Sequence, residues 1–385
     1  MKKNNFLILI VLTVLFVQCK NEPATSVETQ QETETAMTIT KSDFGKTPDG
    51  ETVEKYTIKN ANGMTLDVIT YGGIITSWTA PNKDGQYENI VLGYDNLEQY
   101  IENNPYFGAL IGRFGNRIAN GKFSIDGTTY ELETNDGANH LHGGVKGFDK
   151  VIWTAEADEA AGTLTLTYVS KDMEGGYPGE LTSVVTYTLT ADDALEVDYK
   201  ATTDKKTIVN LTQHSYFNLS ADFSKTILDH ELTINADAYL PVDAGLIPTG
   251  ELTKVEGTPF DFKTAKTVGQ DIETKDEQLA RGKGYDHCWV LNEQGKMRTV
   301  STVYHPTSGR FLEISSNEPA IQFYCGNFLD GTLPMPNGGT YGHRTGFCLE
   351  TQHYPDSPNQ ADFPSVILEP GEAYTSKTIF KFSTK

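Results

Sequence analysis

Glu350 sits inside Gly346-Phe347-Cys348-Leu349-Glu350-Thr351, an apolar run with the pattern of a buried strand. Taking a carboxylate out of water is costly unless it is partnered, and it drives the pKa upward. A glutamate lifted from roughly 4.3 toward neutrality is suited to general-base work. The alternative is an edge-strand glutamate with its carboxylate in water. A candidate acid is His214, at the end of a strand pattern in Asn210-Leu211-Thr212-Gln213-His214-Ser215-Tyr216-Phe217. The amides, hydroxyls and aromatics around it could fix its tautomer, and an imidazole of pKa about 6.5 can give a proton near neutrality. Its alternative is a core histidine with both nitrogens satisfied.

Two further stretches combine glycine with charged and aromatic side chains. Tyr106 to Ile118 places Arg113 and Arg117 among glycines, where a guanidinium fork can reach a sugar oxygen or a carboxylate, or simply close a structural ion pair. Asn139-His140-Leu141-His142-Gly143-Gly144 sets two histidines on one side of an extended segment. That spacing suits zinc, but no further ligand lies close by, so a polar substrate contact or a loop-stabilising hydrogen bond is the better reading and no metal site is expected. No GxSxG elbow, phosphate-binding loop or dinucleotide glycine pattern stands in a suitable context. What is left is an acid, a base and no cofactor.

The elements that position these residues are strands. Thr163 to Val169, Ser183 to Leu189 and Leu195 to Ala201 alternate apolar and polar residues. Lys122 to Ile125 and Thr128 to Leu132 flank Asp126-Gly127, a two-residue hairpin signal. Further strands are expected at Thr207 to Leu211, Glu231 to Ile234, Arg298 to Tyr304, Arg310 to Ile314, Ile321 to Cys325, Val366 to Leu368 and Thr378 to Phe382. Only Asn96 to Glu102 and Lys263 to Gln270 read as short helices. Many strands without crossover helices imply an all-β chain, a large antiparallel sandwich with a cleft for a ligand.

The N-terminus reads differently. Lys2 and Lys3 precede an apolar run from Phe6 to Val17, too short for a membrane span and matched to an export signal over residues 1–18. It ends at Cys19, the position at which a bacterial lipoprotein is lipidated, although Gln18 departs from the small residue usual there. Residues 19–38, rich in Thr, Glu and Gln, cannot bury enough apolar surface to order themselves and read as a tether. Residues 39–385 then form a single domain. The expectation is an exported, membrane-anchored lipoprotein facing the periplasm or cell surface. A formal charge of −21 argues against nucleic acid as a partner. Cys288, Cys325 and Cys348 lack metal-ligand spacing and are expected as buried free thiols.

From about residue 39 onward the chain resembles the aldose 1-epimerase (galactose mutarotase) family. The resemblance is carried by Pro105-Tyr106-Phe107-Gly108, Gly112-Arg113, Asn116-Arg117-Ile118, Leu141-His142-Gly143-Gly144 and Gly147-Phe148-Asp149. It continues through His214-Ser215-Tyr216-Phe217-Asn218-Leu219, Tyr285-Asp286-His287, Gln322-Phe323-Tyr324, Gly326-Asn327-Phe328 and Gly346 to Gln352. It implies a large β-sandwich, with His214 as general acid and Glu350 as general base in the interconversion of sugar anomers. It further implies Asn116, Arg117, His142, Tyr216, Asp286 and Gln322 as substrate-binding groups. The partner is then a free monosaccharide such as glucose or galactose, the protein a monomer, and no cofactor is required; a structural Ca²⁺ stays open. The rivals are a glycoside hydrolase pairing Glu350 with Asp286 and a non-catalytic sugar-binding lipoprotein.

Overall fold

The computed structural model describes residues 37–385, so the export signal, Cys19 and all but the end of the tether lie outside the described residues. The first strand begins at Thr38, where the tether was expected to end. It opens a five-stranded antiparallel meander of Thr38–Lys46, Thr52–Lys59, Thr65–Ile69, Ile75–Pro81 and Tyr87–Asn89. Alternation works as physics requires: Tyr56, Ile58, Leu66 and Val68 enter one core while Lys55, Thr57, Thr65 and Asp67 stay half-buried.

A nine-stranded antiparallel sheet runs in the order Thr154–Asp158, Thr163–Ser170, Leu181–Leu189, Ala194–Thr203, Tyr374–Thr384, Arg310–Ser316, Arg298–Tyr304, Glu231–Ile234, Lys266–Thr267. The C-terminal strand is thus central, pairing Ala194–Thr203 on one side and Arg310–Ser316 on the other. Trp78 from the meander meets Phe380 and Phe382 edge-on at 5.7 and 5.2 Å, which packs one sheet against the other. The expected all-β sandwich is the observed architecture. The expected hairpin forms too, with Asp126 and Gly127 both at positive φ.

A third sheet carries Asp286, Gln322 and Glu350. Its order is Thr253–Lys254, Ala236–Leu240, Asp286–Leu291, Ala320–Tyr324, Cys348–Gln352. Behind it pack Tyr285, Trp289 and Phe323, all fully buried. Cys348–Gln352 is an edge strand, yet each of its five residues is buried. The alternative of an edge glutamate facing water is half right: the edge is real and the water is not.

Among the described residues, helix is confined to short pieces. Leu97–Glu102 forms as expected, with the Asn96 side chain accepting from the Gln99 N–H. Lys263 to Gln270 is not a helix. Lys266–Thr267 instead pairs with Glu231–Leu232 as the last strand of the large sheet, where β-branched Thr267 sits well. The second helix is Glu277–Gly282, capped by Asp276, which accepts from the Gln278 and Leu279 N–H groups.

Candidate active site

Three strands of the third sheet contribute side chains, Asp286, Tyr324 and Glu350, to a cleft of about 200 Å³. Two short antiparallel ribbons close it, Ala109–Ile111 with Thr212–His214 and Arg117–Ile118 with His140–Leu141. Asn116, Arg117, His142, His214, Tyr216, Asp286 and Glu350 all line it. The cleft has room for a small polar molecule of the size of one sugar ring.

His214 Nε2 and Glu350 Oε1 stand 3.6 Å apart, with 4% and 2% of each residue exposed. The gap is longer than a good hydrogen bond, so neither group consumes the other. Glu350 Oε2 has no partner at all. Burial pushes the Glu350 carboxyl well above its usual value; the charge of Asp286 adds to this and Arg117 opposes it. Burial moves His214 the other way, down to about 4, against its own backbone hydrogen bond. The ring is held by Tyr216, tilted 30° at 5.1 Å, and by the His142 edge at 5.1 Å.

Asp286, Gln322 and Glu350 come from adjacent strands on one face of the sheet. Gln322 is directly opposite Glu350 in the register, and Asp286 is diagonal to Gln322. Gln322 donates from Nε2 to Asp286 Oδ1 at 2.7 Å and does not itself line the cleft, so it acts by aiming Asp286. Arg117 lies across from them, donating from Nε to Asp136 Oδ2 at 2.7 Å with Nη1 4.0 Å from Asp286 Oδ2. Arg113, by contrast, turns inward, and its guanidinium donates to the Pro178, Gly179 and Ser170 carbonyls. Of the two arginines, one is structural and one faces the cleft.

The two histidines of residues 139–144 do not share a side. Backbone at positive φ in His142 (φ +52°) and Asn116 (φ +64°) breaks the extended geometry. His140 faces the Tyr177 hydroxyl and the Glu133 carbonyl, while His142 turns into the cleft. Asn116 and His142 then lock each other: the Asn116 N–H donates to His142 Nδ1, and the His142 N–H donates to the Asn116 carbonyl, both at 3.1 Å. Tyr216 contributes its ring, because its hydroxyl donates to the Pro105 carbonyl at 2.9 Å. The sequence motifs include Tyr106, Tyr324 and Phe328 but gave them no role in the site, where they form aromatic walls, and Asp136, which braces Arg117, carried no signal. Tyr106, at φ +67° beside Pro105, carried a turn signal that would have pointed there.

Donor atoms of His142, His214 and Glu350 all lie within 4.8 Å of one another, close enough to bridge a metal ion. The donor chemistry is against it. With Nδ1 filled by the Asn116 N–H, His142 keeps its proton on Nε2 and offers no lone pair. A larger cleft of about 560 Å³, lined by Lys83, Glu88, Asp229, His305 and Arg310, lies elsewhere. Behind it Asp229, His230 and His305 also cluster, but the buried His230 is likewise committed, accepting from the Leu219 N–H at Nε2 and facing Asp229 with Nδ1. Cys288, Cys325 and Cys348 are buried free thiols, as expected.

Residues 54–381 match the family described as aldose 1-epimerase. The chain is 46% identical over 348 residues to a galactose mutarotase from Bos taurus, covering 90% of this chain and 99% of the relative. It is 39% identical over 340 residues to an aldose 1-epimerase from Escherichia coli, covering 87% of this chain and 96% of that one. Among solved structures, a galactose 1-epimerase from Lactobacillus acidophilus superposes with a TM-score of 0.78 at 28% identity, covering 91% of this chain and 99% of the other.

Proposed function

The chain belongs to the aldose 1-epimerase family and interconverts the α and β anomers of free aldoses, and from this premise we propose that Glu350 is its general base and His214 its general acid. The observation that carries the proposal is the 3.6 Å approach of these two buried groups inside a cleft of sugar-ring size. The reactive arrangement has Glu350 ionised and His214 doubly protonated. Glu350 takes the proton of the anomeric hydroxyl, the bond from C1 to the ring oxygen breaks, and that oxygen takes the proton on His214 Nε2. The aldehyde turns about C1–C2 and recloses with both transfers reversed.

Opposed shifts at the two groups serve this cycle. A carboxyl raised by burial holds the proton it has accepted, and an imidazole lowered by burial gives its proton up. Both protonation arrangements carry the same number of protons, so the cleft runs the reaction in either direction without exchanging protons with water. Arg117, His142 and Asp286 bind and orient the sugar oxygens, Asn116 and Gln322 hold His142 and Asp286 in place, and Tyr216 forms the floor beneath His214. This chemistry calls on no metal and no redox cofactor.

Galactose and glucose are the proposed substrates, and the named relatives support galactose. Polarimetry of freshly dissolved α-galactose and α-glucose with purified protein tests the reading; rates no faster than buffer would end it. We further propose export and anchoring through a lipidated Cys19, with the catalytic domain acting as a monomer. The support is the order of charged, apolar and cysteine residues over positions 2–19 and the polar stretch that follows. Fatty-acid labelling of the full chain, lost in Cys19→Ser, is the expected result.

A further inference from the structure

In the proposed cycle His214 must use one nitrogen and keep the other protonated. When Nε2 gives its proton to the ring oxygen, the neutral imidazole is left with a proton on Nδ1. That N–H is buried and needs an acceptor. The side-chain atom facing it is the sulfur of Cys348, 3.5 Å from Nδ1. Cys348 is fully buried and lies two residues before Glu350 on the same strand, so its side chain shares the glutamate's face. The His214 carbonyl accepts the Gly108 N–H at 3.1 Å and, with its second lone pair, also hydrogen-bonds the ring, so the sulfur shares the Nδ1 side with it.

We propose that Cys348 is a positioning residue for His214: its sulfur accepts the Nδ1–H, which leaves Nε2 as the nitrogen that exchanges a proton with the sugar ring oxygen. The inference rests on the reading of His214 as the acid.

A sulfur suits the task better than the carboxylate that backs many catalytic histidines. A carboxylate would fix the same tautomer but would also stabilise the imidazolium, turning the histidine into a proton holder. The same protein contains that contrast. His353 Nδ1 lies 2.8 Å from Glu318 Oε2, and the Glu318 charge holds that imidazole above its usual value despite burial. Behind His214 the thiol stays uncharged, because burial, reinforced by the Glu350 charge, pushes it well above its usual range. Cys348 therefore orients the ring without neutralising its acidity. Sulfur is a weak acceptor, so removing it shifts the tautomer balance instead of abolishing the reaction.

The test pairs ¹⁵N NMR of histidine-labelled protein with polarimetric kinetics. At neutral pH, the His214 signals (assigned by their loss in His214→Asn) are expected to show the Nδ1–H tautomer. Cys348→Ala is expected to mix the two tautomers and lower kcat by about three- to tenfold, the scale of one modest hydrogen bond, with KM unchanged. Cys348→Ser is expected to recover part of both effects. A wild-type spectrum showing Nε2–H would overturn the proposal even if Cys348→Ala failed to fold. So would a folded Cys348→Ala with the wild-type tautomer and kcat. If His214→Asn itself kept full activity, the acid assignment would fall; if it did not, a negative spectrum would remove the role of Cys348 alone.

Discussion

Phe217 and Phe347 exchange both main-chain hydrogen bonds, at 2.7 and 2.9 Å, and this antiparallel bridge sets His214 opposite Glu350. His214 lies three residues before Phe217 and Glu350 three residues after Phe347, so the register that pairs the phenylalanines brings together the proposed acid and the proposed base. Three is an odd step along extended chain, which places the two members of each segment on opposite faces. The phenylalanine rings, 5.8 Å apart, go into the main core while His214 and Glu350 go into the cleft. One bridge thus joins the centre of the fold to the centre of the site.

Phe217→Ala should damage stability and geometry together. The ring is 1% exposed and meets Trp78, Phe347, Phe380 and Phe382. A buried phenylalanine replaced by alanine costs about 3–5 kcal/mol, read as a shift in the urea midpoint at constant slope. Mutarotation at a temperature where the variant is still folded should fall as well, because the bridge sets the spacing of the pair.

Glu350→Gln and His214→Asn should each lower the mutarotation rate by about 10²–10⁴, the usual worth of one positioned proton transfer. Neither should cost much stability: glutamine removes a buried carboxyl with an orphan oxygen, and asparagine keeps a polar group of smaller size. Circular dichroism melts close to wild type with collapsed polarimetric rates are the expected pair of results. Near-wild-type rates in either variant would refute the acid–base assignment.

Legibility in the sequence followed range. The strand pattern is local, so Thr163–Ser170, Leu181–Leu189 and Ala194–Thr203 were readable from alternation alone. Glu350 was suspicious for the same reason, a carboxylate in an apolar strand. Its distance to His214 was not readable, because the Phe217–Phe347 bridge joins segments 130 residues apart. Local pattern misled at Lys263 to Gln270, where pairing to Glu231–Leu232 overrode the helical spacing. It misled again at His140 and His142, since only positive φ at His142 sends the two rings apart. Gln322 carried no signal for aiming Asp286, because that contact is diagonal between two strands.

Gln322→Ala removes the donor that aims Asp286 and leaves Asp286 Oδ1 without that partner. A hydrogen bond to a charged group contributes about 1.5–3 kcal/mol, so kcat/KM should drop by roughly tenfold or more. Because the role proposed for Asp286 is to bind sugar and not to transfer the proton, most of the loss should appear in KM. A fall confined to kcat would mean that Gln322 acts on Glu350, its direct cross-strand neighbour, instead of on Asp286.

The pH profile follows from the opposed shifts. Activity requires one proton on the His214–Glu350 pair, and the limbs of the profile belong to the pair as a unit. As pH falls through about 4, His214 takes up a second proton while Glu350 already holds one, so the base disappears and the rate drops. As pH rises past the elevated Glu350 value, the pair loses its last proton and the acid disappears. Burial is the main cause of that elevation and the Asp286 charge the second, so Asp286→Asn should move the alkaline limb to lower pH while leaving the acid limb in place. Measured kcat/KM against pH for wild type and Asp286→Asn decides it: an alkaline limb that stays put, or moves upward, would show that Asp286 does not act on Glu350 through its charge.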